Sequence, residues 1–226
     1  MAAGLAVPAS AQVAIEAALQ SDYRVRGYSV NDEEPSASLS LSYDDPSGAY
    51  VGASLIGSIY EGDPVLFGIQ GSAGYAARIG SALSLDAGVS RTQYFYGYGT
   101  SRNYDYTEIY VGLALPVVSA RLSYSPDYYR NDKETLYAEV ETGISPASDW
   151  FLSAHAGVLA YLGDPPAFLP DQSFDWRLGA TRQFGPWGIH LDLSGRIQAQ
   201  ARYVLPNGVG SGEDDTALVL SLTRAF

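Results

Sequence analysis

Asp215-Thr216-Ala217-Leu218-Val219-Leu220-Ser221-Leu222-Thr223-Arg224-Ala225-Phe226 is the stretch that decides how this chain is read. Leu218, Leu220 and Leu222 fall on alternate positions, with Ser221 and Thr223 between them, which is the period of a strand with one apolar face. The run stops on an aromatic residue with no turn behind it. A last strand of this kind needs a neighbour from far away in the chain, and a sheet closed on itself supplies one from its first strand. A closed barrel is therefore expected, provided the rest of the sequence repeats at the same scale.

Composition agrees. Hydrophobic residues make up 46% of the chain while the mean hydropathy is only -0.04, and no apolar run is long enough for a membrane helix. With 24 Gly, 18 Tyr and 17% charged residues, the 226-residue chain is rich in what strands and tight turns use. An all-β fold is expected, as a single barrel domain over residues 12–226. The opening residues 1–11 resemble the tail of a secretion signal, with Ala9-Ser10-Ala11 as a small-x-small cleavage pattern before Gln12. There is no cysteine, which excludes disulfides, thiolate catalysis and cysteine metal sites. A net charge of -12, with acidic runs at Asn31-Asp32-Glu33-Glu34 and Gly212-Glu213-Asp214-Asp215, argues against a nucleic-acid partner. No His-x-x-x-His or calcium-loop spacing is present, so no metal or cofactor is expected.

About twelve segments carry period-two patterning between turn residues: 13–26, 36–43, 49–60, 65–77, 82–95, 104–115, 117–124, 135–144, 150–161, 174–183, 187–203 and 216–226. Short links at residues 44–48, 78–81, 116, 145–148 and 185–186 alternate with mostly longer ones around Asn31, Gly97, Asn131, Pro165 and Gly208. Such alternation is what an antiparallel transmembrane barrel produces, with an even strand number and both termini on the periplasmic, short-turn side. Glu61-Gly62-Asp63-Pro64 breaks the pattern, being short where a long link is expected.

The two faces separate cleanly. Val13, Ile15, Leu39, Leu41, Val51, Leu55, Ile109, Val111, Leu113, Val140, Ile189, Leu191, Leu193, Leu218, Leu220 and Leu222 share the apolar face, expected to meet lipid. Opposite them lie Asp22, Arg24, Arg26, Asp86, Glu108, Arg121, Glu139, Glu141, His155, Asp175, Arg177, His190, Asp192 and Arg196, expected to line an interior. In the hairpin register Arg121 faces Glu139, which predicts a cross-strand salt bridge. Tyr23, Tyr28, Tyr43, Trp150, Trp176, Phe184, Trp187, Tyr203 and Phe226 sit near strand ends, as two interfacial girdles would place them. The tyrosine-rich stretch from Tyr94 to Thr100 reads as a rigid outer hairpin, with sugar stacking as the sharper alternative.

Ser21-Asp22-Tyr23-Arg24-Val25-Arg26-Gly27-Tyr28-Ser29, followed by Ser47-Gly48-Ala49-Tyr50-Val51-Gly52, resembles the opening of the Gcw_chp family. These are proteobacterial proteins of unknown function, considered outer-membrane barrels. The family's run has the form S-D-Y-R-F-R-G, and here Val25 replaces the aromatic at a position expected to face lipid. The resemblance implies fold and location; it implies no catalytic residue and no substrate.

The function expected from these features is a narrow passive channel, porin-like, for small polar or charged solutes. The expected pore-lining set is Asp22, Arg24, Arg26, Glu108, Arg121, Glu139, Glu141, Asp175, Arg177, His190, Asp192 and Arg196. The alternatives are a plugged structural or adhesive barrel and, further off, a barrel enzyme acting on lipids. His155 and His190 lie beside no recognised nucleophile motif, so no catalytic residue is expected. Expected partners are outer-membrane lipid and lipopolysaccharide, the outer-membrane assembly machinery through the C-terminal strand, and a small solute.

Overall fold

The computed structural model describes residues 11–95, 103–129, 133–165, 170–198 and 215–226. The strands in chain order are β1 Gln12–Gln20, β2 Arg24–Val25, β3 Tyr28–Ser29, β4 Ser36–Asp44, β5 Ala49–Tyr60, β6 Asp63–Ile79, β7 Leu83–Phe95, β8 Asn103–Ala114, β9 Val118–Ser125, β10 Thr135–Ala147, β11 Trp150–Tyr161, β12 Gln172–Phe184, β13 Trp187–Gln198 and β14 Asp215–Ala225. Twelve of them pair antiparallel into one closed barrel, each with its sequence neighbour, and β14 closes the ring on β1 with Leu19 opposite Leu222. The terminal run thus finds its partner in the first strand, with Phe226 donating its amide to the Ile15 carbonyl at 3.0 Å. β2 and β3 stand apart as a two-stranded ribbon.

The wall is inside-out relative to a soluble domain. Leu218 is 64% exposed, and Val13, Leu39, Val51, Ile109, Leu178 and Leu193 point outward around the ring. Each such side chain left in water would forgo about 2 kcal/mol. An apolar belt running around the whole circumference is far larger than a soluble monomer carries. No helix among the described residues is long and apolar enough to cross a membrane; the crossing is made by strands.

The segments read from the alternation match the barrel strands to within three residues, with two differences. Part of the run 187–203 lies beyond the described residues. More consequentially, the first strand ends at Gln20 and not at Arg26: Ser21 makes the last ladder bond, to the Leu220 carbonyl at 2.9 Å, and the chain then leaves the wall. The anomalous short link resolves as a two-residue hairpin, Glu61 and Gly62 both holding positive φ (51° and 89°). Beside it the register of β5 on β6 shifts so that Gly57 faces Leu66 and Ile56 faces Gly68. The extra residue, Phe67, is driven inward as a bulge.

Inward tyrosines lie flat against glycines of the neighbouring strand: Tyr50 over Gly74, Tyr110 over Gly88 and Tyr137 over Gly157. A Cβ at Gly88 would stand 2.5 Å from the Tyr110 hydroxyl, so the strand glycines are the space the rings occupy.

Candidate functional site: an acidic cavity under an inward hairpin

Residues between β1 and β4 fold into the barrel instead of outward. β2 and β3 pair through Arg24 with Ser29 and Val25 with Tyr28, and the turn between them, Arg26-Gly27, has φ of 52° and 72°. For arginine that left-handed conformation costs about 1 kcal/mol, so its surroundings must hold it there. They do. The Arg26 guanidinium donates to Glu108 Oε1 on β8 at 2.6 Å, lies 3.8 Å above the ring of Tyr137 on β10 and 4.9 Å from that of Tyr128. Burial pushes the pKa of the Tyr128 hydroxyl up, which keeps that ring neutral beside the cation. β8 and β10 flank β9, the strand opposite β1 in the ring, so the arginine spans the lumen. Gly27 abuts the inner wall, where a Cβ would stand 2.5 Å from the Gly195 carbonyl oxygen on β13.

The rest of the segment is equally tied. Arg24 bonds Asp22 at 2.9 Å and the Gly27 carbonyl at 2.8 Å, Asn31 donates to Ser58 on β5 at 3.0 Å, and Val30 donates its amide to the Tyr23 carbonyl. Val30, Ile56, Phe67, Tyr94, Tyr106, Tyr128, Tyr137 and Leu159 form a buried cluster inside the barrel, with Tyr23, Val25 and Tyr129 packed against it. Val25 therefore faces this interior core and not lipid, and Tyr23 is no girdle residue.

Below the hairpin, toward the short turns, lies a cavity of about 1020 Å³. Its lining holds nine carboxylates against four arginines and one histidine. One wall carries Ser40, Ser42, Ser54, Ser72 and Gln70; the charges concentrate on the strands opposite. There His155 Nε2 is 2.8 Å from Asp175 Oδ1, and Tyr137 donates its hydroxyl to the same carboxylate at 3.1 Å. The other imidazole nitrogen is 3.5 Å from Glu141 and 3.8 Å from Glu139, and Arg177 bonds Glu141 at 2.8 Å. His190 sits lower, between the hydroxyls of Thr181 and Thr223, each at 2.9 Å.

Ten of the twelve residues of the expected pore-lining set border this cavity: Asp22, Arg24, Arg26, Glu108, Arg121, Glu139, Glu141, Asp175, Arg177 and Asp192. Arg24 and Arg26 reach it from the hairpin, not from a strand of the barrel wall. His190 and Arg196 lie outside it, Arg196 being 5.6 Å from the ring of Tyr28. Arg121 does stand opposite Glu139 in the ladder, but the expected salt bridge is replaced: its guanidinium stacks over Tyr110 at 4.5 Å and reaches Asp86 at 3.5 Å. Asp86 also accepts from Tyr50, itself 2.7 Å from the Tyr110 hydroxyl. The inward tyrosines were missed because tyrosine reads as a girdle residue; their register, two positions from an inward carboxylate in Tyr106, Tyr110 and Tyr137, was the available signal. Of the outer hairpin expected from Tyr94 to Thr100, Tyr94 lies buried in the interior cluster and residues 96–100 lie outside the described residues, as do the links around Asn131 and Gly208 and Tyr203.

A closed antiparallel barrel with an apolar exterior and an ionic, partly occluded lumen has the architecture of a transmembrane β-barrel. The Gcw_chp family profile, bacterial protein of unknown function, matches residues 5–226, and the chain belongs to that family. No curated protein sequence matches. Among solved structures, the KdgM porin (12% identity, TM-score 0.58, 94% of this chain and 99% of that one) and the NanC porin (10%, 0.60, 94% and 99%) share the fold. So does the translocator domain of the autotransporter NalP from Neisseria meningitidis (13%, 0.52, 94% and 88%). The twelve-strand barrel thus resembles outer-membrane porins.

Proposed function

We propose that the protein is an outer-membrane porin-like barrel, short turns and termini toward the periplasm, that passes small cationic or zwitterionic solutes through a lumen held nearly shut by the hairpin at residues 22–31. The observation that carries this is the excess of carboxylates over arginines around the cavity of about 1020 Å³ directly beneath that hairpin. Among the described residues the hairpin meets the wall through side-chain contacts such as Arg26–Glu108 and Asn31–Ser58, so it can leave without breaking any ladder bond of the barrel. The competing reading, a permanently plugged structural or adhesive barrel, draws on the same hairpin and its aromatic core.

Planar bilayers separate the two. In a salt gradient, wild-type protein is expected to conduct weakly with a reversal potential of cation sign, and Glu141→Gln with Asp192→Asn to cut the cation preference about twofold. Folded protein that never conducts, with or without the hairpin, would leave the plugged barrel standing.

A further inference from the structure

At the short-turn end the outer wall carries a row of rings and arginines. Trp150 is the cross-strand partner of Arg182, Phe184 that of Trp187, and Trp187 that of Arg224, which places all five on three adjoining hairpins with Phe226 at the end. Arg224 lies 5.1 Å from the Trp187 ring and 4.6 Å from that of Phe226; Arg182 lies 5.4 Å from Trp150 and 4.8 Å from Phe184. Two interstrand spacings, about 10 Å, separate the two arginine-bearing strands. The rings are exposed, as is the Ile189 side chain among them.

An outward arginine in an apolar belt is tolerated only where it can reach the headgroup level, and the aromatic row marks that level. Rings that flank a guanidinium leave its N–H edge free, and that planar edge matches phosphate. Partners elsewhere sharpen the point. Arg91, the outward arginine toward the opposite end, is ion-paired with Asp105 and bonds Thr107. Arg224 has no carboxylate partner among the described residues, and Arg182 meets Asp149 through Nε at 3.3 Å, both side chains being nearly half exposed. A chain of net charge -12 repels anionic lipid in general, so attraction at this rim has to be local.

We infer that this rim, centred on Arg224 between Trp187 and Phe226 and continued by Arg182, binds the phosphate headgroup of an anionic glycerophospholipid in the leaflet that meets the short turns. The site carries its own reporters, because Trp150 and Trp187 belong to it and the third tryptophan, Trp176, lies higher on the wall.

The test reconstitutes the full chain in phosphatidylcholine vesicles doped with a minor fraction of lipid brominated on its acyl chains, either phosphatidylglycerol or phosphatidylcholine. Tryptophan quenching is expected to be about twofold stronger with the brominated anionic lipid at low salt and to converge with the neutral one at high salt. Arg182→Gln with Arg224→Gln is expected to equalise the two lipids while the barrel keeps its heat-modifiable mobility on gels. Equal quenching in the wild type, or a preference that survives the double substitution, overturns the proposal. Stronger competition by lipopolysaccharide than by unlabelled phosphatidylglycerol overturns the choice of lipid. Channel activity is not read, so failure here leaves the proposed transport function untouched.

Discussion

Toward the long connections the barrel encloses Tyr94, Tyr106, Tyr128 and Tyr137 with Val30, Ile56 and Phe67; toward the short turns the same cylinder encloses Glu16, Asp44, Asp192 and a wall of serines. Charges behave differently in the two halves. In the upper half they are buried and paired: Arg26 and Glu108 are 13% and 11% exposed, Arg24 and Asp22 less. In the lower half, below the buried His155–Asp175 contact, pairing is loose or absent. Arg177 and Glu141 are each nearly half exposed, and Glu16, Asp44 and Asp192 make no ion pair among the described residues. Wall and connection cause this together: β5, β6, β7, β8, β10 and β11 turn Ile56, Phe67, Tyr94, Tyr106, Tyr137 and Leu159 inward, and residues 21–35 fill the space between them with Val30, Tyr23 and Val25. Every charge buried with them has to bring or find its counter-ion. A barrel of this size acquires a dry half where inward wall aromatics and an infolded loop meet, and a wet half where they do not.

The largest way to break the contrast is to remove the loop. Replacing residues 22–31 by a short Gly/Ser linker is expected to let water into the aromatic half and to raise single-channel conductance several-fold, with the barrel still folded by gel mobility. Unchanged conductance would mean that the hairpin is not what closes the lumen.

Glu108→Gln is next. It strands the Arg26 guanidinium in a mostly buried site with a strained backbone, which costs about 3 kcal/mol of docking energy, about a hundredfold in the docked-to-undocked ratio. Hydrogen exchange at Val30, whose amide bonds the Tyr23 carbonyl, is expected to accelerate accordingly, and channel openings to become frequent. Restoring an ion pair the other way round, with Arg26→Glu and Glu108→Arg, should recover less than the original pair, because a carboxylate cannot stack on the electron-rich face of Tyr137.

How much of this was legible in the sequence follows from the same division. The lower half is governed by the period of two, a local property, so strand number, faces and the inward ranks of Glu139, Glu141, Asp175 and Arg177 could all be read. The hairpin could not. Asp22, Arg24 and Arg26 alternate with Tyr23, Val25 and Gly27 as a wall strand would, and only Gly27, beside a bulky residue in a two-residue turn, hinted at a stop. Whether Tyr23 and Val25 meet lipid or an interior core depends on Tyr94 and Tyr137, which are distant in sequence. The same limit applies to Arg121: its ladder position opposite Glu139 was readable, but the choice of Asp86 was not, because a long side chain selects among partners on several strands once Tyr110 offers it a stacking surface.

That arginine gives the smallest and most discriminating effect. Arg121 is 46% exposed and 3.5 Å from Asp86, so water screens the attraction and the pair adds at most about 0.5 kcal/mol. Stacking on Tyr110 adds a comparable amount. Arg121→Gln is therefore expected to shift the denaturant midpoint of the reconstituted barrel very little, in contrast to Glu108→Gln. Its electrostatic consequence has the opposite sign to a structural loss: one of four cavity arginines disappears, Asp86 faces the cavity uncompensated, and cation preference in the reversal potential should rise. A large loss of stability would show that the lower half is as dry as the upper one. The contrast between the halves would then belong to the side chains and not to water.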